Sequence, residues 1–222
     1  RQMCIRDSYN IQGINIFLSS YNRKTNEDRG CLRRLSKHGG FYMEAKCIGE
    51  PCNFSGIKPV MVDLPYPPIR VSGKNPSYAD LLSIDYCGSI SELSAIAQYI
   101  NNENRLASEN CPMAQALLGM AVCEMIHLQK LGELIALLGG DIGFSARGRN
   151  GRPMIWSPSC LNIPSECSKM LTADMEAEKA TINQYEMHIS WIEDECVNAV
   201  LRRIIQDEEY HIMMLKALQK EV

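Results

Sequence analysis

The stretch "MAVCEMIHLQKLGEL", residues 120–134, has the apolar spacing of an amphipathic helix, yet it sets Glu124 and His127 one turn apart among Met, Val, Ile and Leu. The same insertion returns in "IIQDEEYHIMMLKAL", residues 204–218, where Glu208 and His211 keep the three-residue spacing. Residues three apart share one face of a helix, so each pair can grip a common point. A carboxylate and an imidazole in an apolar stripe are costly to bury without partners. Two such insertions call for one explanation.

Working outward from these pairs exposes an internal repeat. "ELSAIAQY" at 92–99 and "EKATINQY" at 178–185 both read Glu, Ile four residues on, then Gln-Tyr. The offset from Glu92 to Glu178 and from Tyr99 to Tyr185 is 86, and from Glu124 to Glu208 and His127 to His211 it is 84. Leu131 and Leu215 keep the second offset. The chain is therefore expected to contain two helical hairpins of one design, each carrying a lone Glu and then Glu-x-x-His. Packed against each other, they bring Glu92, Glu124, His127, Glu178, Glu208 and His211 inward together. Two divalent metal ions would largely neutralise the four carboxylates. Hard oxygen ligands with imidazole suit two Fe or two Mn ions. Glu176 and Glu209 point elsewhere on the helical wheel and read as solvated charges. Glu178 is preferred over Glu176 because it shares the repeat frame with Glu92.

Four helical segments are expected, at about 77–102 with an interruption near Gly88, 112–138, 168–191 and 194–220. The second stops at a Gly-Gly pair. Between the second and third lies "GGDIGFSARGRNGRPMIWSPSCLNIPSE", residues 139–166, too long for a tight turn and suited to crossing a bundle from end to end. The fold class is all-α, a four-helix bundle of two hairpins with a long crossover between helices 2 and 3. Pro65–Pro68 reads as an extended arm. Residues 1–60 lack a sustained apolar stripe and are expected to be a poorly structured or artefactual N-terminal extension, with the metal domain at 61–222. The opening "RQMCIRDS" does not begin with Met and resembles a translated adapter leader, which makes Met61 a candidate start. His38 falls in this extension and receives no role.

Forty-five per cent of the 222 residues are hydrophobic and the net charge is −3. No Lys/Arg stripe points to nucleic acid, no apolar run of about 18 residues points to a membrane span, and no secretory signal is evident. The ten cysteines form no C-x-x-C pair, so zinc and rubredoxin-like sites are disfavoured and a reduced, cytoplasmic protein is expected. The helical cysteines 87, 123 and 196 read as small hydrophobes, as do the helical methionines as flexible core filler. His188 lies off the ligand face and reads as a partly exposed or packing histidine.

The ligand set matches that of ferritin-like di-iron and di-manganese proteins, and residues 64–222 resemble that superfamily. "NPSYADLLSIDYCGSISELSAIAQY", residues 75–99, is similar to the manganese-catalase and spore-coat catalase-like branch. Residues 170–215 are similar to rubrerythrin-type domains. The resemblance implies an oxidoreductase acting on hydrogen peroxide or dioxygen, catalase- or peroxidase-like. A peroxidase would need an external electron donor. It also implies a homo-oligomer, and it leaves open a spore-coat-like structural bundle with a stabilising metal, or iron oxidation and storage. Tyr99 and Tyr185 either pack in the core or bond to a ligand carboxylate from outside the metal shell. By resemblance Asp207 accepts from the other hairpin's His127. Its repeat counterpart is Cys123, so His211 needs a different acceptor.

Overall fold

The computed structural model describes residues 52–147 and 153–222, and the backbone of two strands nearer the N-terminus. The chain divides into two units, Arg1–Gly49 and Glu50–Val222. In the first, β1 (Asp7–Ile11) pairs antiparallel with β2 (Ile14–Leu18). His38, Cys4, Cys31 and Cys47 lie outside the described residues.

The second unit is a helical bundle. Its helices are α1 (Pro76–Cys87), α2 (Glu92–Leu106), α3 (Cys111–Leu138), α4 (Cys167–Trp191) and α5 (Glu195–Leu218). Local chemistry sets their ends. Asn75 caps α1 by accepting from the Ser77 and Tyr78 amides, with Pro76 at the first position. The expected break at Gly88 separates α1 from α2. A side chain at Gly88 would stand 2.5 Å from the Ile84 carbonyl, so the close turn there tolerates only glycine. Ser91 then restarts the chain, accepting from the Ser94 amide at 3.2 Å. Asn110 caps α3. That helix ends at Gly139 (φ 87°), whose left-handed backbone lets the Gly140 amide reach the Ile135 carbonyl at 2.9 Å.

α2 packs on α3, and α4 on α5, as two hairpins that meet through α2 with α4 and α3 with α5. The short α1 rests on α3. Two apolar clusters fill the bundle. One gathers Leu82, Leu131, Leu134, Leu138, Val200 and Leu201. The other gathers Met113, Leu117, Met120, Leu171 and Leu215. Along both α3 and α5 the Glu-x-x-His pair falls between the stretches that feed the two clusters, so a polar layer divides the core.

Several features depart from the sequence expectations. The crossover holds a short antiparallel hairpin, β3 (Ser145–Arg147) with β4 (Pro153–Ile155), whose three-residue strands are too brief to leave a pattern. α3 is long and apolar enough to cross a membrane by length and composition. It nevertheless buries Glu124, His127 and Lys130 against neighbouring helices, as befits the central helix of a polar-cored bundle. Met125, Met187 and Met213 are exposed rather than core filler, while Met113, Met120, Met170 and Met175 are buried. Cys196 is likewise exposed, at the start of α5.

Residues 52–60, assigned above to the extension, lie against the bundle together with the Pro-rich arm. Cys52 and Cys111 form a disulfide with Cα atoms 5.4 Å apart, which corrects the expectation of a fully reduced chain. The pairing spans 59 residues and has no local spacing signature. The Val60 amide donates to the Gly119 carbonyl at 2.9 Å. A Cβ at residue 119 would come within 2.7 Å of Val60 and 2.9 Å of the Lys58 carbonyl, so this glycine admits the strap. Further on, Arg203 donates to the Val62 and Leu64 carbonyls, and its guanidinium stacks 4.5 Å over the Tyr66 ring.

Candidate metal centre

All six residues singled out by the repeat converge in the polar layer, each no more than 3 % exposed. The imidazoles turn Nδ1 inward. His127 Nδ1 lies 2.8 Å from Glu124 Oε2, 3.3 Å from Glu208 Oε1 and 3.5 Å from Glu92 Oε2. His211 Nδ1 lies 2.9 Å from Glu124 Oε1, 3.1 Å from Glu208 Oε2 and 3.3 Å from Glu178 Oε1. Glu124 and Glu208 thus each offer one oxygen to either histidine, while Glu92 serves only the His127 side and Glu178 only the His211 side. The ring centroids are 6.2 Å apart.

Two four-residue groups result: Glu92, Glu124, His127 and Glu208, and Glu124, Glu178, Glu208 and His211. Within each, the donor atoms lie within 4.8 Å of one another, close enough to hold a metal ion. The donor atoms themselves argue for cations. Glu92 Oε2, Glu124 Oε1, both Glu208 oxygens and His211 Nδ1 are buried without a hydrogen-bond partner. Buried polar atoms are normally satisfied, and here five face the same small volume. Cations at the two focal points would satisfy them.

Electrostatics carries the same strain. Burial, then the charges of Glu208 and Glu178, raises the Glu124 carboxyl well above its ordinary range. Burial and Glu208 push Glu178 up to about 7. Glu208 is also penalised by burial, but His127 and His211 more than offset this and hold it down at about 2. Burial disfavours both imidazolium ions. Even so, Cys123, Glu208, Glu124 and Glu92 hold His127 above its ordinary value, and Glu124 leads the groups that do so for His211. Neighbouring carboxylates pushed in opposite directions mark a cluster with more negative charge than its own protons balance comfortably.

The supporting atoms follow the repeat only in part. Tyr99 donates to Glu178 Oε1 and Tyr185 to Glu92 Oε1, each phenol crossing to the opposite hairpin. Both rings also pack in the apolar clusters, Tyr185 in the first and Tyr99 in the second. Asp207 Oδ2 accepts from His127 Nε2 at 3.2 Å, with Cys123 Sγ 3.4 Å from the same nitrogen. Asp207 is itself held by Tyr66 at 2.6 Å, the Val62 amide at 2.8 Å and Arg203 at 2.7 Å. Burial works against its charge, but these donors keep it ionised far below the ordinary carboxylate range. The acceptor that His211 lacked by sequence is the Val60 carbonyl, 2.7 Å from Nε2. A backbone oxygen leaves no mark in the sequence.

Glu176 and Glu209 are exposed, as expected. Of the two readings open for His188, the packing one holds: it is buried, 2.8 Å from Asp85 and 5.6 Å from the Trp191 ring centre. Its partner comes from α1, a helix outside the repeat. A second buried carboxylate, Asp174, accepts from Gln98 at 2.8 Å and Asn102 at 2.9 Å. Neither pair carries a spacing signal of its own.

The fold is a ferritin-like helical bundle, and its carboxylate–imidazole cluster forms two groups of donors that could each hold a metal ion. The rubrerythrin family profile matches residues 88–219, and the chain belongs to that family. Among solved structures it is similar to a manganese catalase from Anabaena, at TM-score 0.64 and 26% identity over 72% of this chain and 79% of that one. It is also similar to bacterioferritins. The one from Rhodobacter capsulatus gives TM-score 0.55 and 20% identity over 67% and 87% of the two chains. The one from Mycobacterium tuberculosis gives TM-score 0.53 and 24% identity over 67% and 87%. No curated protein matches the sequence.

Proposed function

We propose that the chain is a dinuclear iron or manganese oxidoreductase that acts on hydrogen peroxide or dioxygen. In this reading Glu92 and His127 would hold one metal ion and Glu178 and His211 the other, while Glu124 and Glu208 would each offer one oxygen to either position. The observation that carries it is the pair of shared carboxylates, each with its two oxygens turned to different histidines, among buried atoms that lack any other partner. Two such ions supply a pair of adjacent redox-active centres across which a two-electron change in an O–O bond can be divided.

The protein's own contribution is orientation and charge. Asp207 and the Val60 carbonyl accept from the outer nitrogens of His127 and His211, which fixes the ring orientations and leaves each Nδ1 free to bind metal. Tyr99 and Tyr185 hold the terminal glutamates in place. The apolar clusters on either side of the layer keep bulk water away from the bridges. The likeness to a manganese catalase supports peroxide as substrate; turnover as a peroxidase would draw electrons from an external donor. Like many such bundles, the chain is proposed to work as a homo-oligomer.

Elemental analysis of the full chain, produced with both metals supplied, combined with an oxygen-release assay on peroxide, tests this reading. Two manganese per chain with rapid oxygen release establishes the catalase form. Two iron with peroxide consumed only when a reductant is added establishes the peroxidase form. Two metals with turnover no faster than free metal, and a fold that melts on chelation, reduces the centre to a structural one.

A further inference from the structure

A cavity of about 180 Å³ lies between α2 and α4. Among the described residues, Tyr99 and Glu178 are the only members of the centre and its tyrosine supports that line it. Its walls come from one face of each helix: Ala95 and Gln98 on α2, and Asp174 and Ala177 on α4. The spacing by three and four places these residues in register along the two helices. Small side chains here leave the space between the helices unfilled, whereas Met120, Leu117 and Leu171 fill the neighbouring core.

The crossover forms the outer rim. The Asn162 amide donates to Gln98 at 3.0 Å, and Trp156 Nε1 donates to Ser94 at 3.0 Å, so two bonds tie this segment to α2. Gln98 in turn donates to the buried Asp174 carboxylate, which stiffens the wall one turn before Glu178. A cavity of this size has room for several water-sized molecules and none for a bulky organic ligand.

We propose that this cavity is the route by which a small uncharged molecule reaches the centre, and that it opens on the Glu178–His211 position alone. The inference rests on the dinuclear reading above. Glu178 Oε1 sits 3.3 Å from His211 Nδ1, so a molecule beside Glu178 meets that position first. Glu92, the corresponding terminal carboxylate of the other position, does not line the cavity. The two halves of a symmetric ligand set are thereby given unequal roles: one metal receives the substrate and the other is reached only across the bridges. Ala177 is then a residue that determines which molecules are admitted.

The test uses the full chain loaded anaerobically with ferrous iron, and nitric oxide as an uncharged diatomic probe whose binding to the metal is followed by stopped-flow absorbance. In Ala177→Phe, iron stays at two per chain and nitric oxide association slows by about tenfold or more, because the wall must move before the probe passes. Ala177→Leu gives an intermediate slowing and serves if the larger ring prevents folding. Met213→Phe, which adds bulk at an exposed site on α5, leaves the rate unchanged. Equal rates in the wild type, Ala177→Leu and any folded Ala177→Phe, each with two irons, overturn the route while leaving the dinuclear reading intact. A wild-type chain that holds no iron overturns that reading and the route with it.

Discussion

The two halves of the centre share their inner atoms and differ in their outer ones. On the inside, each has a terminal Glu, a Glu-x-x-His pair and a tyrosine that crosses to the opposite hairpin. On the outside, His127 donates to Asp207, a carboxylate held by Arg203, Tyr66 and the Val62 amide. His211 donates to the Val60 carbonyl of a strap that is neither in the bundle nor in the repeat. A carboxylate acceptor makes an imidazole a stronger ligand than a neutral carbonyl does. Duplicated helices therefore give two positions of the same composition, and the proposed centre predicts that what surrounds them sets their metal affinities apart.

The largest effect comes from breaking what the halves share. Glu208→Ala removes an oxygen from both positions and leaves their histidines competing for one bridge. The expected outcome is loss of both metals, read as metal per chain by elemental analysis; two metals retained would remove Glu208 from the ligand set. A smaller and one-sided effect is expected from Asp207→Asn, which leaves every proposed ligand in place. The His127 position should lose about 10- to 100-fold in affinity, with the His211 position less affected, as measured by chelator competition. Equal weakening of both positions would contradict the separation of roles.

Cys52→Ser sharpens the comparison from the other side. The disulfide pins the strap to the start of α3, eight residues before Val60. Closing a loop of this length is worth up to about 4 kcal/mol through the unfolded chain, so the melting temperature should fall. The His211 position should also release its metal several-fold faster than the His127 position relative to wild type, since the ring loses a fixed acceptor. Chelator release kinetics would show it, and an unchanged ratio would mean that the strap holds Val60 without the crosslink.

How much of this was legible differs between the same two sets of atoms. The six inner residues were readable because a helix fixes which residues share a face, and because the repeat fixed the frame in which Glu178 outranks Glu176. The end of α3 was readable because the Gly139-Gly140 pair is a strong local stop signal. The outer partners were not. Val60 acts through its carbonyl, which any residue carries. Cys52 and Cys111 meet only because the strap runs along α3, and Asp85 meets His188 only through the packing of α1 on α4. Each is a long-range contact whose chemistry is clear once the fold exists and silent before it.

The smallest expected effect lies outside the ligand set, at Asp174. Burial, opposed by the bonds from Gln98 and Asn102, raises its carboxyl from 3.8 to about 6. A raised folded-state value means that the folded chain binds this proton more tightly than the unfolded one. Its contribution to stability is therefore most favourable below pH 4 and declines as the pH rises toward 6. Asp174→Asn should flatten the slope of melting temperature against pH across that window; an unchanged slope would place the titrating group elsewhere.

The most direct test of the central claim is anomalous diffraction at the metal edge from crystals of the metal-loaded full chain. Two peaks are expected in the polar layer, one beside Glu92 and His127 and one beside Glu178 and His211, with Glu124 and Glu208 reaching both. A single peak, or metal held away from these six side chains, would contradict it.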